Sequence, residues 1–182
     1  MGMRKRAFLF CALAACALAV SAQSYSLRSN ILGLATTNLN LEASMTLNRK
    51  WSLHLPVQYN PFKFGSNRQF RNFYAAPGVR YWLLESYMGG FIGMYGTAGM
   101  YSVGNLFGSK YRYEGEGYGV GLSVGKAYQI GRRWNLEWEV GAGAVWLAYD
   151  KYLCKRCGDL VDNDYGWHFL PTRAALNLVY LF

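Results

Sequence analysis

Hydrophobic and polar positions alternate with a period of two over most of this chain, most cleanly in residues 171–182, PTRAALNLVYLF. There Ala174, Leu176, Leu178 and Tyr180 form one row, and Arg173, Ala175, Asn177 and Val179 form the other. Successive strand side chains point to opposite faces, so the segment has one apolar face and one partly polar face. The same period predicts eight strands, near 26–36, 39–48, 51–60, 72–83, 88–103, 114–130, 133–149 and 171–182. Tight turns at 48–50, 84–87 and 130–133 alternate with long polar links at 60–71, 103–113 and 150–170; only the first link, around Thr37 and Asn38, is short out of turn. An even strand count with alternating short and long links is the pattern of a transmembrane barrel, whose closure removes the free edges that lipid cannot tolerate. The expected fold is all-β: an eight-stranded antiparallel up-and-down transmembrane β-barrel with a polar, filled lumen.

Assigning faces by parity places Trp51, Leu53, Leu55, Val57 and Tyr59 outward on the third strand, and Tyr118, Val120, Leu122, Val124 and Tyr128 outward on the sixth. Lys126 shares that outward row near a strand end, where its amine can snorkel. Trp51, Tyr81, Tyr128, Trp134 and Phe182 are expected to line one lipid interface, with Tyr59, Phe73, Tyr118 and Trp146 toward the other. Pro77 falls inside the fourth strand, where it cannot donate to the ladder, so a bulge or a missing bond is expected.

The inward rows carry Arg28, Asn30, Glu42, Ser44, His54, Gln58, Arg80, Glu137, Glu139, Arg173 and Asn177. Three arginines and three glutamates balance. An eight-stranded barrel has an interior that side chains can fill, and charges placed there require partners. Arg28, Glu42, Arg80, Glu137, Glu139 and Arg173 are therefore expected to form a salt-bridge network that plugs the lumen. A proton path or a carboxylate pair at Glu137 and Glu139 is the functional alternative. Glycines at inward positions, among them Gly119, Gly121, Gly125, Gly141 and Gly143, leave room for long partners such as Arg80.

Composition fits this picture. Aromatics make up 17% of the residues, yet mean hydropathy is only −0.01 because alternation dilutes the apolar positions. The N-terminus adds an address. Arg4, Lys5 and Arg6 precede an apolar run over 7–20, and Val20-Ser21-Ala22 reads as a signal-peptidase site. Residues 1–22 are expected to be a signal peptide and 23–182 the barrel domain. A lipobox-like LAAC at 13–16 keeps lipoprotein processing at Cys16 open. The formal charge of +9 loses the three leader charges on cleavage.

Cys154 and Cys157 lie in the longest predicted loop, and in an exported protein a local disulfide is the simplest reading. A CxxC completed by Asp159, Asp162, Asp164 or His168 could hold zinc, but a single CxxC is a weak metal signal. No metal and no cofactor is expected. The two histidines limit catalytic readings: His54 is inward and mid-strand, whereas His168 precedes the last strand, with Ser102 or Ser109 as candidate nucleophiles nearby. The long loops interleave Lys63, Arg68, Arg71, Lys110, Arg112, Lys151, Lys155 and Arg156 with Phe62, Phe64, Phe70, Tyr111 and Tyr113. That composition suits a surface beside anionic lipopolysaccharide or a docking face for a partner, and an exported protein has no call to bind nucleic acid.

Several motifs in order carry a resemblance: NILGLATT at 30–37, KWSL at 50–53, YNP at 59–61, PGVRYW at 77–82, YRYEG at 111–115, RWNLE at 133–137, YDKY at 149–152, CKRCG at 154–158 and PTRAAL at 171–176. Together they resemble the family known as domain of unknown function 3575, typical of Bacteroides-type bacteria, across 26–182. Gly78 stands where many relatives carry an acidic residue, so this chain has no local carboxylate beside Arg80. The resemblance implies an outer-membrane barrel associated with fimbria assembly, with a structural or interaction role and a surface or fimbrial protein partner. The closing strand also resembles those of bacterial outer-membrane barrels, in which a terminal aromatic such as Phe182 is read by the barrel-insertion machinery. A lipid-A-directed acyltransferase or deacylase is the alternative.

Overall fold

The structure is a computed structural model describing residues 25–64, 68–104, 112–152 and 160–182. The elements run β1 (Tyr25–Asn30), α1 (Ile31–Ala35), β2 (Leu39–Asn48), β3 (Trp51–Asn60), β4 (Lys63–Phe64), β5 (Arg68–Ala75), β6 (Gly78–Trp82), β7 (Gly89–Gly104), β8 (Arg112–Gln129), β9 (Trp134–Tyr152) and β10 (Leu160–Leu181). Each long strand pairs antiparallel with its chain neighbour, and β1 closes the cylinder on β10 through Ser26–Leu181 to Asn30–Asn177. β5 and β6 are two halves of one stave, both laid between β3 and β7. The result is a closed eight-stranded antiparallel barrel, and β4 is a two-residue rung paired with the upper end of β5.

Stagger follows from the register. A row traced from Ser26 through Ser44, His54, Gly78, Tyr95, Gly121 and Gly143 reaches β10 at Leu170, whereas Ser26 itself pairs with Leu181. Discounting one bulged residue, that is a displacement of about ten residues, the shear that tilts strands in a small closed barrel.

Four boundaries differ from the sequence reading. The first strand stops at Asn30 instead of 36, because the Asn30 side chain accepts from the Leu32 amide and caps the short helix α1. That carboxamide also accepts from the Leu176 amide and donates to the Ala174 carbonyl, continuing the β1–β10 ladder beyond the end of the strand. The fourth stave is interrupted at Ala76 and Pro77 without a slip in register, since Val57–Ala75 and Leu53–Val79 stay in step on either side. Pro77 costs a rung and not a bulge. Register shifts lie instead at Thr46–Asn48, at Leu160–Asp162 and, within the body of β10, at Pro171–Arg173. The last of these turns Thr172 and Arg173 toward the lumen together and reverses the parity of everything upstream. Finally, β10 begins at Leu160, so most of the segment read as the loop 150–170 is strand, hydrogen-bonded to β9 as far as Tyr152.

These boundaries give the barrel an uneven rim. β1 has 6 residues and β2 and β3 have 10, whereas β7 to β10 have 16 to 22. The wall is lowest at β1 to β3, beside α1, and tallest along β7 to β10. The outward rows are apolar and exposed: Leu39, Leu41 and Leu47, then Leu53 and Leu55, then Val120, Leu122 and Val124. Trp51, Tyr81, Tyr128, Trp134 and Phe182 all face outward near the end that holds both β1's start and β10's finish. There Trp51 meets Tyr81, and Tyr180 stacks edge-on with both Trp134 and Phe182. At the opposite end Trp146 packs on Tyr165 and Trp167.

Candidate functional site: a charged lumen

The lumen is layered. Its floor is apolar, where Trp82, Tyr87, Phe91, Val179 and Leu181 pack as a buried cluster. Tyr87 reaches this cluster from the 83–88 turn in a left-handed backbone conformation (φ 68°), held by the Asn135 amide donating to its carbonyl at 2.7 Å and by its hydroxyl, 3.0 Å from the Ser44 hydroxyl. Parity alone puts Trp82 and Phe91 inward, but their pairing with a turn residue is a long-range event.

Above the floor the six charged residues of the inward rows meet. Arg80 is the hub. Its two terminal nitrogens lie 2.9 Å from Glu137, 2.6 Å from Glu139 and 3.3 Å from Glu42. Arg28 reaches Glu137 at 2.6 Å and Glu42 at 3.4 Å, and Arg173 reaches Glu139 at 2.9 Å. Asn177 donates to Glu137 at 3.2 Å. Arg28 and Arg80 are 2% exposed and Glu137 and Glu139 1%, so water screens little and each charge depends on its protein partners. Three positive and three negative groups leave no net charge in the layer.

Glycine serves this layer indirectly. The room left by inward glycines is taken by aromatic rings, not by Arg80 itself. A Cβ on Gly121 would lie 2.6 Å from the Tyr95 ring, and one on Gly125 would lie inside van der Waals contact with Phe91. Those rings in turn face the cations: Arg80 lies 4.5 Å from the Phe91 centroid and Arg173 4.3 Å from that of Tyr95. Arg80 thus has carboxylates on its edges and a ring on its face.

A hydrogen-bonded chain missed by the sequence reading runs beside the hub. Trp82 Nε1 donates to Ser52 Oγ at 2.7 Å, Ser52 Oγ is 2.6 Å from His54 Nε2, and His54 Nδ1 is 2.8 Å from Glu42 Oε1. The i, i+2 spacing of Ser52 and His54 signals a shared row, but Glu42 arrives from β2 and Trp82 from β6. The order hydroxyl–imidazole–carboxylate is that of an activated nucleophile. Here Ser52 is 0% exposed, its oxygen already receives an indole N–H, and Glu42 is shared with two arginines, so the chain braces the wall.

The other catalytic candidates are not brought together. Ser102 faces outward on β7 and donates to Glu114 at 2.9 Å, whereas His168 pairs with Val145 on the lumen-facing row of β10. Ser109, Cys154, Cys157, Asp159, Lys110, Tyr111, Lys155 and Arg156 lie outside the described residues.

These features define a class: a small closed barrel, apolar outside, with its lumen crossed by a charge-balanced network. The chain belongs to the family described as "Protein of unknown function (DUF3575)", whose profile matches residues 7–182. Comparison with curated proteins and with solved structures yields no match.

Proposed function

We propose that this barrel resides in a bacterial outer membrane, exported by the 1–22 leader, and acts as a compact structural or interaction protein of the cell surface. One observation carries the reading. The outside of a cylinder whose inside holds six buried charges is a continuous belt of exposed Leu, Val, Met and Trp, bounded at both ends by aromatic clusters. Water would penalise that belt and lipid would not. The charged layer crosses the lumen below its upper end, which argues against a transport path. A rim that is tall from β7 to β10 and low at α1 supports a docking role at the surface, and a fimbrial or other surface protein is the partner proposed. Outer-membrane lipids, lipopolysaccharide among them, would surround the belt, and the insertion machinery would read the terminal Phe182.

The test is assembly and topology. A heat-modifiable gel shift, with protease cutting in intact cells confined to 61–67, 105–111 and 153–159, is the expected result. Cleavage after Arg132 in intact cells would contradict it, because the 130–133 turn belongs to the periplasmic end.

A further inference from the structure

The upper lumen, above the charged layer, is not filled. A chamber of about 420 Å³ opens there, walled by Thr97, Tyr101, Val145, Leu147 and Leu170. A cross-strand pair of glycines, Gly99 on β7 and Gly117 on β8, forms part of its wall. Its size falls within the ~300–1,000 Å³ of small-molecule pockets.

Below it lies a second, polar cavity of about 110 Å³ that reaches down to Arg173 and Glu139. Gln58, Tyr74 and Thr172 line both spaces, so they form the boundary between an apolar compartment and a polar one. Two of the three have partners: Gln58 donates to Asn72 and Thr172 bonds the Tyr95 hydroxyl. Among the described residues the buried Tyr74 hydroxyl has no hydrogen-bond partner. A buried hydroxyl left unsatisfied costs about 1–3 kcal/mol, so a ligand group or water is called for at that spot.

The chemistry of an occupant follows from both compartments. An apolar chamber above a polar boundary fits a molecule with one hydrocarbon chain and a small head. The head is uncharged, because the three arginines and three glutamates beneath already match and an added charge would have no counter-ion. We propose that the upper lumen binds one single-chain amphiphile with a neutral, hydrogen-bonding head, of the monoacylglycerol type, its chain in the chamber and its head at Tyr74 and Gln58. The site rests on the membrane reading for the supply of this ligand, not for its geometry.

The experiment uses the full barrel, refolded, with the gel shift read first and native mass spectrometry read second. Mono-oleoylglycerol is the probe, and oleate, with the same chain and a charged head, is the comparator. Expected are saturable one-to-one binding of the glyceride, binding of oleate weaker by about tenfold or more, and a loss of about fivefold in Tyr74→Phe. Thr97→Trp and Leu170→Trp, two independent ways of filling the chamber, are each expected to abolish binding while the gel shift persists. A shifted barrel that binds no glyceride, or binds it equally with both chamber-filling variants, overturns the site and leaves the membrane reading standing. Oleate binding as tight as the glyceride overturns the neutral head. A chain that never shows the shift overturns both readings.

Discussion

Replacing Arg80 by Met should be the most damaging single change in the barrel wall. The methionine keeps an apolar stem against Phe91 but removes the group that bridges Glu42, Glu137 and Glu139. Glu137 retains Arg28 and Asn177, Glu139 retains Arg173, and Glu42 retains His54 and the longer contact to Arg28. The layer passes from balance to one excess negative charge in a largely dehydrated setting. Removing one member of a buried ion network costs about 3–5 kcal/mol, mostly the penalty of the stranded charge. The magnitude can be checked by urea unfolding of the refolded barrel in vesicles, followed by tryptophan fluorescence. Arg49→Ala is the control: the Arg49–Glu85 pair is on the surface, where such pairs contribute roughly 0–1 kcal/mol. Combining Arg80→Met with Glu139→Gln restores neutrality and is expected to recover at least half of the loss. If Arg80→Met costs no more than Arg49→Ala, or if the double variant is as unstable as the single one, charge balance is not what holds the lumen.

Other consequences are as direct. Asn30→Ala removes the α1 cap and the ladder contacts to Ala174 and Leu176; a loss of about 1–2 kcal/mol and faster hydrogen exchange at the Leu176 amide are expected. Deleting Thr172 removes the extra residue and leaves the Pro171–Ala142 and Arg173–Gly141 pairs consecutive, so both rows keep their faces and the heat-modifiable species should still form; its absence would show that the pairing is misread. Gly121→Val overpacks the Tyr95 ring by about 1–3 kcal/mol in the same unfolding assay, and Tyr95→Ala in the same chain should relieve part of it. Phe182→Ala should lower the amount of barrel assembled in cells while leaving refolding of the purified chain nearly unchanged.

Much of the fold was legible because a barrel wall is a one-dimensional code. Parity assigns Glu42, His54, Arg80, Glu137 and Glu139 to one face without knowledge of any neighbour, since every strand side chain obeys the period of two. The code fails where the backbone leaves that period. Residues 31–35 are apolar enough to pass for strand, and only the Asn30 cap turns them into a helix. The Pro171–Arg173 bulge hides the polar-looking stretch above it as strand, because His168, Gly166 and Asp164 read as loop when the register is taken to be unbroken. Partnerships across the lumen were not legible either. Stagger, and not sequence spacing, decides that Trp82 meets Ser52 and that Arg173 meets Glu139, and a single chain does not state its shear.

The central claim is that one face of these strands meets lipid and the other encloses a buried apolar floor beneath a charged layer. Tryptophan reports both faces. Of the six, Trp51, Trp134, Trp138, Trp146 and Trp167 face outward, and Trp82 is buried in the lumen floor. Two variants, each retaining a single tryptophan at 138 or at 82, can be reconstituted in bilayers whose acyl chains carry bromine. Strong quenching of Trp138 with Trp82 spared by both bromolipid and aqueous iodide is the expected result. Quenching of Trp138 by iodide instead of bromolipid, or of Trp82 by either, would contradict the account.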